Sequence, residues 1–372
     1  MPGSGISLAR PGGIRLARRV TAPFIPGLEL ARSFYAEIVA PLLAAEFPDL
    51  RYSAALIGWG SEVLGFDSAR STDHNWGPRL QIFLADQPQD QSAVLGELLA
   101  ARMPAAFRGY PTVFPASESA DPPSHWVTVT GLRCWLTGEL GFDPTAGIGL
   151  LDWLSVPTQT LAGVTAGAVF HDGLDDLTAV RTALAWYPRD VWLYVLACQW
   201  QRISQEEAFP GRCAEAGDDL GSAVVTARLV RDVMRLVLLM ERRYPPYSKW
   251  LGTAFGHTAA AAELRPLLTA ALAAATWPER QRNMSAAYEA AGRLHNKTGL
   301  TPPLDAAIRP SYYQRPYQVP DSGRFVRALQ DQISDDALHA LPLTGAVDQF
   351  IDSTDALGSS TLRHAVAAEL GL

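Results

Sequence analysis

Apolar residues along this chain fall first into short runs separated by turns and then into long helical periods, with the change near Leu132. Leu30, Phe34, Ile38 and Leu42 recur at helical spacing between the stops Pro26-Gly27 and Pro48, which predicts an opening helix over 28–47. Ser53 to Ile57 and Arg79 to Leu84 read as strands, 92–103 as a helix, and Trp126 to Thr130 alternates as a third strand. Helical patterns then cover 174–186, 190–205, 214–243, 258–275 and 278–296, broken at Pro188, Pro210-Gly211, Pro245-Pro246 and Pro302-Pro303. The expected fold class is α+β: an N-terminal α/β domain with a small mixed sheet over 24–145, then an all-helical domain over 146–372. Residues 1–23, with Arg10, Arg15, Arg18 and Arg19 among Gly, Pro and Leu, read as a flexible lead-in that lacks the apolar core of a secretory signal.

Length and composition narrow the function classes. At 372 residues the chain exceeds the size at which a single core stops growing, so two packed domains are expected. Its 48% hydrophobic and 19% charged residues are those of a soluble protein, and no stretch approaches the roughly 18 apolar residues of a membrane span. A net charge of -7 argues against a nucleic-acid partner. Cys134, Cys198 and Cys213 are too scattered for a disulfide framework or a CxxC metal site, so reduced thiols in a cytoplasmic protein are expected.

The candidate chemistry lies at Gly60-Ser61-Glu62-Val63-Leu64-Gly65 and at Ser71-Thr72-Asp73-His74-Asn75-Trp76-Gly77-Pro78-Arg79. A glycine-serine turn after an apolar strand offers backbone N–H groups and a hydroxyl to phosphate oxygens. Positions 73 and 75 have the spacing that would project two side chains from one face of a strand toward a divalent metal.

Together with Val164 to Gly173, Tyr247 to Thr253 and Asp348 to Asp355, these motifs resemble the bacterial DUF4037 family and, through it, the polymerase-β-like nucleotidyltransferases. The resemblance spans about Phe24 to Asp355. It implies a nucleotidyltransferase-like N-terminal domain, a cleft against the helical domain, and transfer from a nucleoside triphosphate to a small molecule, as in antibiotic or natural-product metabolism. Gly60, Ser61 and Arg79 would then bind the nucleotide, Asp73 would hold Mg²⁺, and Lys249 would neutralise phosphate charge or act as a base if desolvated. The chain departs from the pattern that the superfamily implies. Asn75 replaces one acid, and Thr128 stands where a third would be, in a stretch free of Asp and Glu between Asp121 and Glu139. One metal, delivered with the nucleotide, is therefore expected rather than two. The competing expectations are a non-transferring descendant that binds a nucleotide or another anion, and a metal-independent enzyme using the same pocket.

Other chemistry-bearing residues have plainer readings. His171-Asp172 suits a turn before the next helix, and His74 would point away from Asp73. Arg228, Arg231, Asp232 and Arg235 form a charged helix stripe that would grip an anion only if it lined the cleft. Glu206, Glu207 and Arg212 read as exposed charges, and His295-Asn296-Lys297 as a helix C-terminus favouring positive charge. Trp186, Tyr187, Trp192, Tyr194 and Trp200 read as core. No GxSxG elbow and no GxGxxG fingerprint is present, and oligomeric state is not encoded in any motif.

Overall fold

The computed structural model describes residues 23–73, 75–85, 89–114 and 124–369. The lead-in expected over 1–23 lies outside them except for Pro23, and so does His74. Strands β1 (Tyr52–Leu56), β2 (Arg79–Leu84), β5 (Val113–Phe114), β6 (Ser124–Gly131) and β7 (Ala168–Asp172) form one mixed sheet in the order β5-β6-β2-β1-β7. A two-stranded ribbon of β3 (Ala106–Phe107) and β4 (Tyr110–Pro111) stands beside it. β2 runs antiparallel to β1 and parallel to β6, while β1 runs antiparallel to β7. The sheet confirms the α+β class, and β7 corrects it in one detail. The sheet's far edge comes from beyond position 146, where only helices were expected.

Every residue of β2 is buried, which a strand covered on both faces requires. Leu80, Ile82 and Leu84 pack with Leu30, Phe34, Val39 and Leu43 of the opening helical segment and with Leu95 and Leu99. Phe83 points the other way, into a larger core that also holds Ala55, Ile57 and Leu136 and continues through Leu196, Leu236, Ala287 and Leu329. The packing therefore runs through 145/146 without a break.

The opening helix is not one regular α-helix. A π-turn at Tyr35–Val39 separates Gly27–Phe34 from Ala40–Glu46, and Ala40 N donates to Tyr35 O. Pro41 follows at once, and its missing N–H cannot take part in an ordinary helical ladder. The helical half is built around the long helices Arg189–Glu206, Asp219–Met240 and Trp277–Lys297. The helix expected over 214–243 is split, because Gly217 adopts a positive φ of 75° and Asp218 caps the second piece by accepting from Gly221 N. Among the described residues no helix is long and apolar enough to cross a membrane.

Candidate functional site

The site begins where β1 ends. Gly60 has φ of 132°, a region that L side chains rarely adopt, and a Cβ there would stand 2.3 Å from Arg79 Nη2. Arg79 lies beneath the turn and is 4% exposed. Its Nε donates to Glu62 Oε1 at 2.7 Å, its Nη2 donates to Trp59 O, and its guanidinium lies 4.1 Å from the centre of the Trp59 ring. This placement corrects the expectation that Arg79 meets a ligand. Its charge is matched internally by Glu62, itself 2% exposed, and the pair braces the Gly60-Ser61 turn from below.

The acidic segment also differs from expectation. Ala69–Asp73 is a 3₁₀ turn, Asn75 takes a left-handed conformation with φ of 50°, and the strand starts only at Arg79. Positions 73 and 75 therefore do not share a strand face. Asn tolerates the left-handed region better than most residues, so the local backbone explains an Asn or Asp at 75 independently of metal binding. Thr128 pairs with Gln81 in the parallel register of β6 on β2 and lies outside the cleft lining. Gln81 is held by Ile57: its amide accepts from Ile57 N and donates to Ile57 O.

A cleft of about 600 Å³ separates this turn region from the helices. Gly60, Ser61, Asp73 and Asn75 line one wall; Arg231, Arg235 and Lys249 line the other. Lys249 is the second residue of the helix Ser248–Gly256, is exposed, and places Nζ 5.0 Å from the Trp250 ring centre. It makes no ion pair among the described residues. Its ammonium can meet an anion in the cleft as a compact point charge.

Arg231 and Arg235 lie one turn apart and meet Asp352 and Asp348, also four residues apart, in an antiparallel ladder. Arg235 Nη2 donates to Asp348 Oδ2 at 2.7 Å. Thr158 Oγ1 lies 2.5 Å from the same oxygen and 2.7 Å from Pro245 O, with one hydrogen to share between them. Asp348 Oδ1 has no hydrogen-bond partner, nor does the nearby Tyr187 hydroxyl. Burial first, then the charges of Tyr244 and Asp348, push the Tyr187 phenol well above its usual range. The part Asp348 plays was legible only as matched i, i+4 spacing, acids at 348 and 352 against arginines at 231 and 235. Glu62 carried no signal apart from its place in the turn motif.

Several expectations are settled by position. Asp172 accepts from Ser53 Oγ at 2.6 Å and from Thr178 N at 2.8 Å, holding the start of the helix Asp176–Ala183, and His171 packs on the Tyr52 ring. Trp200 is fully buried and stacks on Phe325, while Trp186, Tyr187 and Tyr244 pack together in the core. Glu207 is buried rather than exposed: it accepts from Ser322 N, and burial raises its carboxyl to about 7. His295 is buried too, accepting from Trp200 Nε1 at 3.3 Å with Nε2 3.0 Å from Thr301 Oγ1. Burial lowers its pKa to about 4, so it is neutral and does not supply the positive helix end expected of it.

Residues 153–251 match the model of DUF4037, a domain of unknown function. No curated protein and no solved structure matches the chain. The DUF4037 region brings Thr158, Arg231, Arg235 and Lys249 to the site. The Gly60-Ser61 turn, Asp73 and Asp348 lie outside that region, so the cleft joins the DUF4037 segment to chain on both sides of it.

The donor set also bears on metal chemistry. Among the described residues no group of three or more His, Cys, Asp or Glu is placed to hold a metal ion. With Glu62 committed to Arg79, the turn-side wall offers the Asp73 carboxylate, the Asn75 amide and hydroxyls. Such a set fits one Mg²⁺ that arrives with a triphosphate. It does not fit two metals held by protein carboxylates.

Proposed function

We propose that the protein is a nucleotidyltransferase-like enzyme of the cytoplasm that takes a nucleoside triphosphate into the cleft and acts on a small hydroxylated or amino compound. The observation that carries this reading is the meeting in one cavity of the Gly60-Ser61 turn and Asp73 with Lys249, from opposite walls. The Ser61 hydroxyl and the turn's N–H groups donate to phosphate oxygens. Lys249, at the positively polarised start of its helix, balances phosphate charge across the gap. Asp73 and Asn75 would hold the single Mg²⁺ carried in by the nucleotide, which when bound neutralises charge on the phosphates.

A second reading, binding without transfer, is favoured by one observation: position 75 carries an amide instead of a carboxylate, on a left-handed backbone just after the 3₁₀ turn that ends at Asp73. Calorimetry with ATP, CTP, GTP and UTP, each with and without Mg²⁺, combined with a pyrophosphate assay, separates the two. Magnesium-dependent binding with pyrophosphate release is the expected result for transfer. Binding without release supports the second reading, and the absence of binding by all four nucleotides overturns both. If pyrophosphate release appears only in Asn75→Asp, transfer requires an acid that this chain lacks.

A further inference from the structure

A second cavity, of about 420 Å³, adjoins the cleft and shares Arg231, Arg235, Asp348, Ile351 and Asp352 with it. Arg202, Arg228 and Asp232 line this cavity and not the cleft. Four guanidiniums thus surround it: Arg228, Arg231 and Arg235 on successive turns of the helix Asp219–Met240, and Arg202 on the helix Arg189–Glu206 facing them.

The four are not equally committed. Arg202 is tied to the buried Asp232 and donates to Gln349 O, and Arg235 is tied to the buried Asp348. Removing either carboxylate would strand a guanidinium in the interior, so these two pairs are fixed. The other two are more open, Arg228 at 54% and Arg231 at 31% exposure. Arg231 spreads its two terminal nitrogens over the oxygens of Asp352, at 2.8 and 3.3 Å, and Asp352 is 77% exposed. Arg228 approaches Glu206 through Nε at 3.1 Å, and its terminal nitrogens hydrogen-bond to no described residue. Among the described residues Arg231 Nε is buried without a hydrogen-bond partner. Solvated pairs of this kind contribute little to stability and exchange readily for a better anion.

We propose that this arginine pocket binds a phosphate dianion, free or as a phosphomonoester, between Arg228 and Arg231, with Asp352 as the displaceable occupant of the anion's place. The two oxygens of Asp352 take the forked contact that two phosphate oxygens would take, and a dianion brings twice its charge. Arg202 and Arg235 hold the cavity open from their fixed ion pairs. The seat adjoins the cleft through Arg231 and Asp352, whereas Arg228 lines this cavity alone, so Arg228 distinguishes an anion here from one held at Gly60, Ser61 and Lys249.

The test is calorimetry on the full chain at low ionic strength, with inorganic phosphate and with ribose 5-phosphate as probes. Binding of either is expected, the tighter of the two identifying the source. Arg228→Gln, a change at an exposed position, should weaken it about tenfold. Asp352→Asn should tighten it several-fold by removing the competing charge, and Lys249→Gln should leave it unchanged. The proposal is overturned if neither probe binds at millimolar concentration, or if Asp352→Asn weakens binding. It is equally overturned if the anion persists in Arg228→Gln and is lost in Lys249→Gln, which would place it in the cleft and leave the proposed function intact.

Discussion

His295 and Glu207 bury opposite titrations in the same helical core, and each has a definite effect on stability. The folded-state value of His295 is lowered from 6.5 to about 4 by burial. Above pH 6.5 both folded and unfolded chains carry it neutral, so it contributes no pH dependence there. As pH falls below 6.5 the unfolded chain takes up a proton that the folded chain refuses, and stability is lost until pH reaches about 4. Glu207 is raised from 4.5 to about 7, chiefly by burial, against the lowering effect of the Ser322 N–H. Its folded form holds a proton that the unfolded chain has released, so stability is lost as pH rises from 4.5 through about 7. Each shift amounts to about 3 kcal/mol when fully expressed, at about 1.4 kcal/mol per pH unit. Between about pH 5 and pH 8 the histidine recovers about 2 kcal/mol and the glutamate forfeits about 2.5, so the wild-type dependence from this pair nearly cancels.

Substitution should expose each half. Glu207→Gln keeps an acceptor for Ser322 N, so its gain over wild type should grow from under about 1 kcal/mol near pH 5 to about 3 kcal/mol near pH 8. His295→Gln should show the reverse trend, its deficit shrinking by about 2 kcal/mol as pH drops from about 8 to 5. Urea unfolding followed by tryptophan fluorescence at several pH values measures both. If the two variants diverge from wild type with the same sign of pH slope, or with none, the assignment of buried neutral forms is wrong.

The buried brace and the aromatic core make further predictions. Glu62→Gln leaves the Arg79 guanidinium interior and uncompensated, so unfolding stability should fall by about 3–5 kcal/mol and triphosphate binding should weaken with it; a loss below about 1 kcal/mol in the urea midpoint analysis would mean that Arg79 finds another partner. Tyr187→Phe removes a buried hydroxyl without a partner and should be neutral or stabilising by up to about 1 kcal/mol. Tyr244→Phe deletes the donation to Leu184 O and should cost about 1 kcal/mol in the same assay, so equal losses in the two variants would refute the distinction.

Periodicity located the elements because it reports local burial. The apolar runs at 53–57 and 79–84 correspond to the two most buried strands, and the long helical patterns to helices of the second half. β7 escaped because its last two residues, His171-Asp172, suit a turn before the helix that follows. Only pairing with β1 makes it a strand. The π-turn before Pro41 and the break at Gly217 are consequences of single residues that interrupt an otherwise regular ladder.

For the site, sequence determined which residues gather in the motif but not which of them line the cleft. Gly60, Ser61, Asp73 and Lys249 do line the cleft, as their motifs suggested. Arg79 does not, because its depth and its pairing with Glu62 depend on how the turn folds back over β2, which no spacing encodes. The same-face logic for 73 and 75 failed for a backbone reason: a 3₁₀ turn and a left-handed residue replaced the strand it assumed. Charge patterning revealed an arginine stripe, and tertiary contact with 348–352 divided it into fixed and exchangeable pairs. Local pattern depends on neighbours a few residues away and is written in the chain. Burial and ion pairing join residues more than a hundred positions apart, and only the folded structure decides them.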